Sequence, residues 1–328
     1  MNILIRLPNW MGDMVMSSAF VRAVRELYPG STIDLIAKKG IDVLLEFFPE
    51  HEQRYIFSKE EFPGINGAWK FGRQIRQQKK YDLFFCLPDS LSSAVMAYAS
   101  GAAKRIGYRK EGRGLLLTAA FNKKTGLHRV EEYMDLLQQF TGKALPSAVV
   151  ALKGPGKLKQ DYIVVNINSE AVSRRLPKEK AVQLINEVRK AYRGNIFLAG
   201  SNKEAAFVDE VYTSLDSRSG IMNLAGTTPI PELSGFLEGA RLVLTTDSGP
   251  AHLSNALGTH TIVLFGAGNE KNTAPYNQSL RSIIRLNQLS CEPCTKNTCK
   301  PYGIPACLTK LDDAIIVNEI IKVLATTI

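Results

Sequence analysis

No run of apolar residues in this 328-residue chain approaches the ~18 needed to cross a bilayer, which excludes a helical membrane protein. The chain opens on no leader-like segment. Asn2-Ile3-Leu4-Ile5-Arg6-Leu7 reads directly as a core strand, so the cytoplasm is the expected place. Acidic residues are in deficit: 31 Asp and Glu stand against 41 Lys and Arg, a formal charge of +10. A surface of that sign attracts nucleic acid, acidic lipid headgroups or phosphorylated small molecules. The sequence has no DNA-type zinc-finger spacing, no RNP-type aromatic motif and no basic helix with heptads, so nucleic acid is set aside. A membrane surface asks only for dispersed positive charge, which is present. The first turn, Pro8-Asn9-Trp10-Met11-Gly12-Asp13, holds a single glycine and so is no Gly-x-Gly-x-x-Gly dinucleotide loop. What remains is ordinary for a globular enzyme, 45% hydrophobic and 22% charged, and long enough for two domains.

Short apolar runs alternate with helical patterns through most of the chain. Strands are expected at 2–7, 32–37, 82–87, 161–167, 195–199, 221–224, 241–246 and 261–266. Helices are expected at 14–27, 69–79, 90–99, 129–140, 178–192, 203–215, 230–238, 250–257 and 312–325. This alternation predicts α/β architecture with parallel sheets and crossover helices. It breaks once, between Thr141 and Gln160, where Pro146, Gly154, Pro155 and Gly156 sit among lysines without regular period. A linker there divides the chain into domains 1–150 and 151–328. The last helix, from Asp312, could pack back on the first domain.

The most telling stretch is Thr245-Thr246-Asp247-Ser248-Gly249-Pro250-Ala251-His252. It follows the apolar run Arg241-Leu242-Val243-Leu244 and leads into a helical pattern. Asp247 or Ser248 can cap that helix, Gly249 admits a ligand close to the backbone, and Pro250 suits the first turn. Helix-start N–H groups together with the helix dipole suit a phosphate. Read alone, the stretch is also an ordinary capped helix. Asp13, at the end of the first strand, has the same pair of readings, helix cap or functional carboxylate.

Taken together, these segments resemble the ADP-heptose:lipopolysaccharide heptosyltransferases, and most closely the heptosyltransferase II branch. The family's Gly-Asp pair is matched by Gly12-Asp13, and its Asp-Ser/Thr-Gly-x-x-His by Asp247-Ser248-Gly249-Pro250-Ala251-His252. Supporting matches are Leu87-Pro88-Asp89-Ser90, Arg105-Ile106-Gly107-Tyr108, Asn223-Leu224-Ala225-Gly226 and the Cys291-Glu292-Pro293-Cys294 loop. The resemblance implies a GT-B plan, two Rossmann-like doubly wound domains facing across a cleft, the first for the acceptor and the second for the nucleotide sugar. It implies an inverting, metal-independent glycosyltransferase that moves heptose from ADP-L-glycero-D-manno-heptose to the inner core of lipopolysaccharide, with heptosyl-Kdo-lipid A as acceptor. Asp13 would be the general base, with Gly12 packing beside the sugar. The enzyme would be a monomer, peripheral at the inner face of the inner membrane. The alternative is another enzyme using a nucleotide sugar, or a glycosyltransferase with a different sugar or acceptor. Tyr55 and Lys59 have the Tyr-x-x-x-Lys spacing of one such class, but no glycine loop precedes them.

Departure of a nucleoside diphosphate needs cations or N–H donors at its phosphates. No Asp-x-Asp is present to hold a divalent metal, and no cofactor is expected for catalysis. The helix start at Ser248, Gly249 and His252 supplies donors, and the turn from Asn168 and Ser169 to Pro177 supplies a cation. Arg174 stands where the family usually has lysine, and Leu176 where it usually has tryptophan. Arginine keeps the charge and can grip phosphate through two N–H groups. Gly200 and Ser201, and Thr228 after Gly226, follow two further strands on the same edge as Asp247 and are expected to hold the nucleoside. The family's ribose-binding glutamate has its nearest counterpart at Asn202, with Glu204 two residues on. Lys104, Arg105, Arg109 and Arg113 lie in a basic, glycine-containing stretch that either clamps the anionic acceptor or is a solvated face. Cys86 reads as an inert core residue. Cys291, Cys294, Cys299 and Cys307 form Cys-x2-Cys-x4-Cys-x7-Cys, read either as a structural zinc site or as reduced, unligated thiols.

Overall fold

The computed structural model describes residues 1–326. The chain forms two compact units, Met1–Leu152 and a second that begins at Lys153. Among the described residues twelve strands form two sheets of six, and every neighbouring pair in both sheets is parallel.

The first unit runs β1 (Asn2–Arg6), α1 (Met11–Met16), α2 (Ser18–Leu27), β2 (Thr32–Lys38), β3 (Arg54–Phe57), α3 (Gly64–Gln78), β4 (Leu83–Cys86), α4 (Leu91–Ala99), β5 (Lys104–Tyr108), β6 (Ala119–Phe121) and α5 (Arg129–Thr141). Its sheet order is β3-β2-β1-β4-β5-β6. β1 and β4 are buried almost throughout, as parallel strands covered on both faces must be. Helix α2 is strongly amphipathic and lays Phe20 edge-on against Phe85 of β4, with Phe140 of α5 against the same ring. On the other face α3 and α4 close tightly. A Cβ at Gly72 would stand 2.4 Å from the Met96 carbonyl oxygen and 2.8 Å from Ala99 Cβ, so only glycine fits. Buried Asp34 is compensated by Lys79 Nζ at 2.7 Å and the Tyr81 hydroxyl at 2.5 Å.

The second unit runs β7 (Gln160–Asn166), α6 (Lys178–Ala191), β8 (Asn195–Leu198), α7 (Ala205–Thr213), β9 (Ile221–Asn223), α8 (Ile230–Gly239), β10 (Ala240–Thr246), α9 (Gly249–Ala256), β11 (Thr261–Phe265), α10 (Glu270–Thr273), β12 (Arg281–Arg285), α11 (Ala306–Thr309) and α12 (Asp313–Thr326). Its sheet order is β12-β11-β10-β7-β8-β9. Renumbered from its own first strand, each unit has the order 3-2-1-4-5-6 of a doubly wound nucleotide-binding sheet. The final helix packs one face within the second unit and leaves Ile315 and Ile321 exposed. Ile316, Ile320 and Val323 lie in the second unit's core, and Lys180 of α6 meets Asp313 at 2.5 Å. Among the described residues no helix is long and apolar enough to cross a membrane.

Eight of the twelve strands follow the sequence reading closely. The other four, β3, β5, β6 and β12, are three to five residues long, and three of them begin with Lys or Arg. The helix expected over 14–27 begins earlier, at Met11, and divides at Ser17. The Ser17 hydroxyl turns back onto the Met14 carbonyl at 2.6 Å, the local bond by which serine interrupts helices.

Candidate active site

Parallel strands send all their carboxyl ends to one edge, and ligands settle where the chain reverses its direction of winding. In the first unit that point lies between β1 and β4. A recess of about 460 Å³ opens there, lined by Pro8, Asn9, Trp10 and Asp13 after β1, by Leu87–Leu91 after β4, and by Lys110, Glu111, Arg129 and Tyr133. Buried Arg6 fixes the first loop, donating to the Leu7 carbonyl at 2.9 Å and to Asn9 Oδ1 at 2.5 Å. Burial pushes its pKa down to about 10.

Asp13 does not cap α1; the N-cap residue is Trp10, whose side chain makes no capping bond. Gly12 and Asp13 lie in the first turn, and the Asp13 carboxylate meets Arg129 Nε at 3.4 Å. Arg129 also holds Glu132 at 2.5 Å, and Lys123 joins Glu132 at 3.0 Å to Asp89 at 3.2 Å. Burial works against the charge on Arg129, yet Asp13 and the other neighbouring carboxylates outweigh it, so its pKa rises. Tyr133 is held neutral, chiefly by burial and then by the Asp13 charge. This recess therefore contains a partly exposed carboxylate aimed by a cation, which is what a positioned proton acceptor requires.

The members of the basic stretch have different settings. Arg113 is 1% exposed and donates to the Pro88 carbonyl at 2.6 Å, which places it behind the recess wall. That carbonyl partners Nη1, while the buried Nε and Nη2 make no hydrogen bond. Arg105 is spent on the Leu116 and Ala102 carbonyls, both at 2.9 Å, and lies over the Tyr98 ring. Arg109 donates to the Ala120 carbonyl, and Lys104 is exposed on β5. None of the four lines the recess; Lys110 and Glu111 do.

In the second unit the reversal lies between β7 and β10. Asn166, at the end of β7, donates to Thr245 Oγ1 and Ser248 Oγ, both at 3.0 Å. The Ser169 hydroxyl donates to the Asp247 carbonyl at 3.2 Å, and Thr246 Oγ1 donates to the Asn168 carbonyl. Arg174 Nη1 reaches Asp247 Oδ2 at 3.2 Å, with the arginine side chain about 30% exposed. Leu176 is buried in the core behind the turn. Ser248 is the N-cap of α9 by position, but its hydroxyl bonds back into the turn and no side chain caps the helix. Ser169, Arg174, Asp247, Ser248 and Gly249 thus converge at one helix start. His252, on the second turn of α9, is buried.

Gly200 sits close by: a Cβ there would lie 3.0 Å from both Asn168 Nδ2 and Ala225 Cβ. Ser201 and Thr228 stand at the neighbouring strand ends. Glu204 is already committed, its Oε2 taking both the N–H and the hydroxyl of Ser201 at 2.8 Å. The Thr228 hydroxyl donates to its own turn at Leu224.

Two parts of this corner were not foreseen. A Cβ at Gly268 would fall 1.9 Å from Asp247 Oδ2, so the backbone after β11 is laid against the carboxylate. Arg285 of β12 secures that backbone, donating to the Gly266 and Gly268 carbonyls and pairing with Glu270 at 2.6 Å. A Gly-Ala-Gly run directly after an apolar strand was the available signal.

The four cysteines line one cavity of about 440 Å³ that also reaches Ser173, and their loop supports the Arg174 turn. The Asn297 and Lys296 carbonyls accept from the Ser173 N–H and hydroxyl. The thiols are free, and among the described residues no three His, Cys, Asp or Glu side chains are grouped so as to hold a metal ion.

The solved structures that share this architecture define the class. The chain superposes on the structure of E. coli ADP-heptose LPS heptosyltransferase II with a TM-score of 0.83 at 23% identity, covering 99% of each chain. It matches a glycosyl transferase family 9 structure from Veillonella parvula equally well, at 17% identity over 99% of this chain and 97% of the other. The fold is therefore GT-B, with two doubly wound α/β units. The heptosyltransferase model of glycosyltransferase family 9 matches residues 68–304, and the chain belongs to that family. Lipopolysaccharide heptosyltransferase 2 of Salmonella typhimurium is 28% identical over 318 residues, covering 87% of this chain and 88% of that protein. Lipooligosaccharide heptosyltransferase 2 of Haemophilus influenzae is 27% identical over 324 residues, covering 87% and 89%.

Two outcomes follow from the geometry. Replacing Arg129 by Met removes the cation beside Asp13. An opposite charge within ~4–6 Å favours the ionised carboxylate, so its loss makes proton binding easier. The acidic limb of the kcat–pH profile should move to higher pH, with the donor KM little changed; an unmoved limb would separate Arg129 from the base. Gly268→Ala should push Asp247 and Arg174 out of register and weaken ADP binding by about tenfold or more, the worth of a charge-assisted hydrogen bond. Calorimetric titration with ADP measures this directly.

Proposed function

We propose that the chain transfers heptose, with inversion, from ADP-L-glycero-D-manno-heptose to the inner core of lipopolysaccharide, heptosyl-Kdo-lipid A being the acceptor. The reading draws on the family and on relatives whose names specify lipopolysaccharide heptosyltransferase 2. The observation that carries its chemistry is the pairing of Asp13 with Arg129 at the reversal point of the first sheet. In this reading Asp13 takes the proton from the acceptor hydroxyl as the oxygen attacks the anomeric carbon. The sugar then passes through an oxocarbenium-like state while ADP departs. Arg174 and the helix start at Gly249 meet the charge that develops on the diphosphate. Donor binding would exchange the Arg174–Asp247 contact for a phosphate contact at the same guanidinium. The enzyme would work as a peripheral protein at the inner face of the inner membrane, where a lipid-linked acceptor is presented.

The test is ADP release with ADP-heptose and a set of truncated lipopolysaccharide acceptors. Release should require the acceptor carrying one heptose. Asp13→Asn should keep ADP affinity and lose ~10²–10⁴-fold in turnover, the usual worth of a general base. Near-wild-type turnover by a folded variant would remove Asp13 from the role.

Turnover should survive EDTA to within about twofold, since the Arg174 guanidinium and backbone N–H donors at the diphosphate perform the electrostatic task. Strict recovery on restoring Mg²⁺ or Mn²⁺ would overturn a metal-independent mechanism. Circular dichroism in the same buffer checks that the chelator leaves the fold intact.

A further inference from the structure

The first unit carries a surface that the site leaves unused. Between Phe62 and Tyr81 the chain has five Lys and Arg and no Asp or Glu; from Ser90 to Val130 it has eight, of which Arg113 is buried and Lys110 and Arg129 line the recess, leaving five, with Glu111 the one carboxylate. In a chain with 31 acids this is a marked segregation. The elements concerned pack side by side. Exposed Ile65, Trp69, Arg73 and Arg76 follow one another at helical spacing along α3. Trp69 lies against Tyr98 of α4 with ring centroids 5.7 Å apart, and Arg105 of β5 lies over Tyr98 at 5.3 Å. Arg105 in turn donates to the Leu116 carbonyl, next to Leu115. The contacts run unbroken from α3 to that loop. Trp69 is 40% exposed, Tyr98 45% and Leu115 92%. A linked set of exposed apolar groups on an otherwise polar surface marks an interaction site.

We infer that this face, α3 with α4 and the Leu115 loop, docks on an anionic lipid bilayer. The chemistry selects that occupant. Tryptophan and tyrosine prefer the headgroup boundary, a protruding leucine suits the acyl region beneath it, and Lys and Arg are drawn to anionic headgroups. A second copy of this chain would set the same positive face against itself in an isologous contact. The inference deepens the peripheral placement proposed above and rests on it for its biological setting.

The experiment is sedimentation of the full chain with vesicles of phosphatidylethanolamine and phosphatidylglycerol, beside neutral phosphatidylcholine vesicles. The wild-type chain should bind the first and not the second. Each basic residue near an anionic surface is worth roughly fivefold in partitioning, so Lys70→Glu with Arg73→Glu should weaken binding roughly 25-fold or more. Lys203→Glu with Arg218→Glu makes the same net-charge change in the second unit and should leave binding within about twofold. Trp69→Ser with Leu115→Ser, both on the surface, should weaken binding with the charge unchanged. In a chain carrying Trp10→Phe, the remaining Trp69 should be quenched by lipids brominated near the headgroup.

Equal losses from the two charge pairs would reduce the effect to net charge and overturn the inference. So would unchanged binding by Trp69→Ser with Leu115→Ser, preferential binding of single-stranded RNA by the same face, or a dimer in sedimentation velocity that these variants dissolve. The two readings fail separately. Turnover on a delipidated, water-soluble acceptor should be unchanged in the face variants. A wild-type chain that binds vesicles but releases no ADP with any acceptor would sink the proposed function and leave the surface standing.

Discussion

A sheet whose strands all run the same way cannot scatter its loops: every turn that follows a strand emerges at one edge, and every crossover helix starts there. Most of what matters in this protein follows from that constraint, applied twice. In each unit the first and fourth strands lie side by side, so the turn after the first is brought beside the turn after the fourth, some eighty residues away. Asp13 comes beside the Leu87–Leu91 turn in this way, and Ser169 beside Asp247. The chemistry differs between the units, one offering a carboxylate and the other a cation with a helix start, but the placement is the same solution.

Holding those turns requires charge inside protein, and the structure handles this consistently. Arg6, Arg113 and Arg285 are all nearly or fully buried, and each donates to backbone carbonyls of a loop at a sheet edge. A guanidinium has five donors in a rigid fork and suits this work, whereas an ammonium presents a single point. The arginines that look most like ligand binders in a list of basic residues are therefore often part of the framework. Arg174 stays partly exposed, and Lys104, Lys110, Lys70, Arg73 and Arg76 keep their charge at the surface.

This division explains which features the sequence disclosed. The doubly wound architecture was legible because buried parallel strands are continuous apolar runs, and the Asp247 turn because Ser, Gly and Pro each have a definite role at a helix start. Asp13 was legible as a residue but not in its setting. Its partner Arg129 lies more than a hundred residues away, and nothing local to Arg129 separates it from other helix-start cations. The burial of Arg113 was hidden for the converse reason: a basic cluster in sequence says nothing about which member turns inward. The edge strands were missed because they are short and partly charged, so their pairing is set by the sheet they join. The four cysteines showed their proximity in spacing, and they do line one cavity, but spacing carries no information on how far apart the sulfurs stand.

The close approach at Gly72 has a consequence for the outer surface of the first unit. With the α3 backbone seated almost on α4, the two helices have little freedom to slide or roll. The Trp69–Tyr98 pair is thus mounted on a plate that is rigid before anything touches it. Ordering a rotamer-rich side chain at an interface typically costs about 0.5–1.5 kcal/mol. Here the two exposed rings of this face already lean on each other, and Arg105 is already tied through Nε and Nη1 to two carbonyls. Most of that conformational entropy is given up during folding, where the whole core offsets it, so a contact made later through this face can be weak per residue and still be definite in orientation.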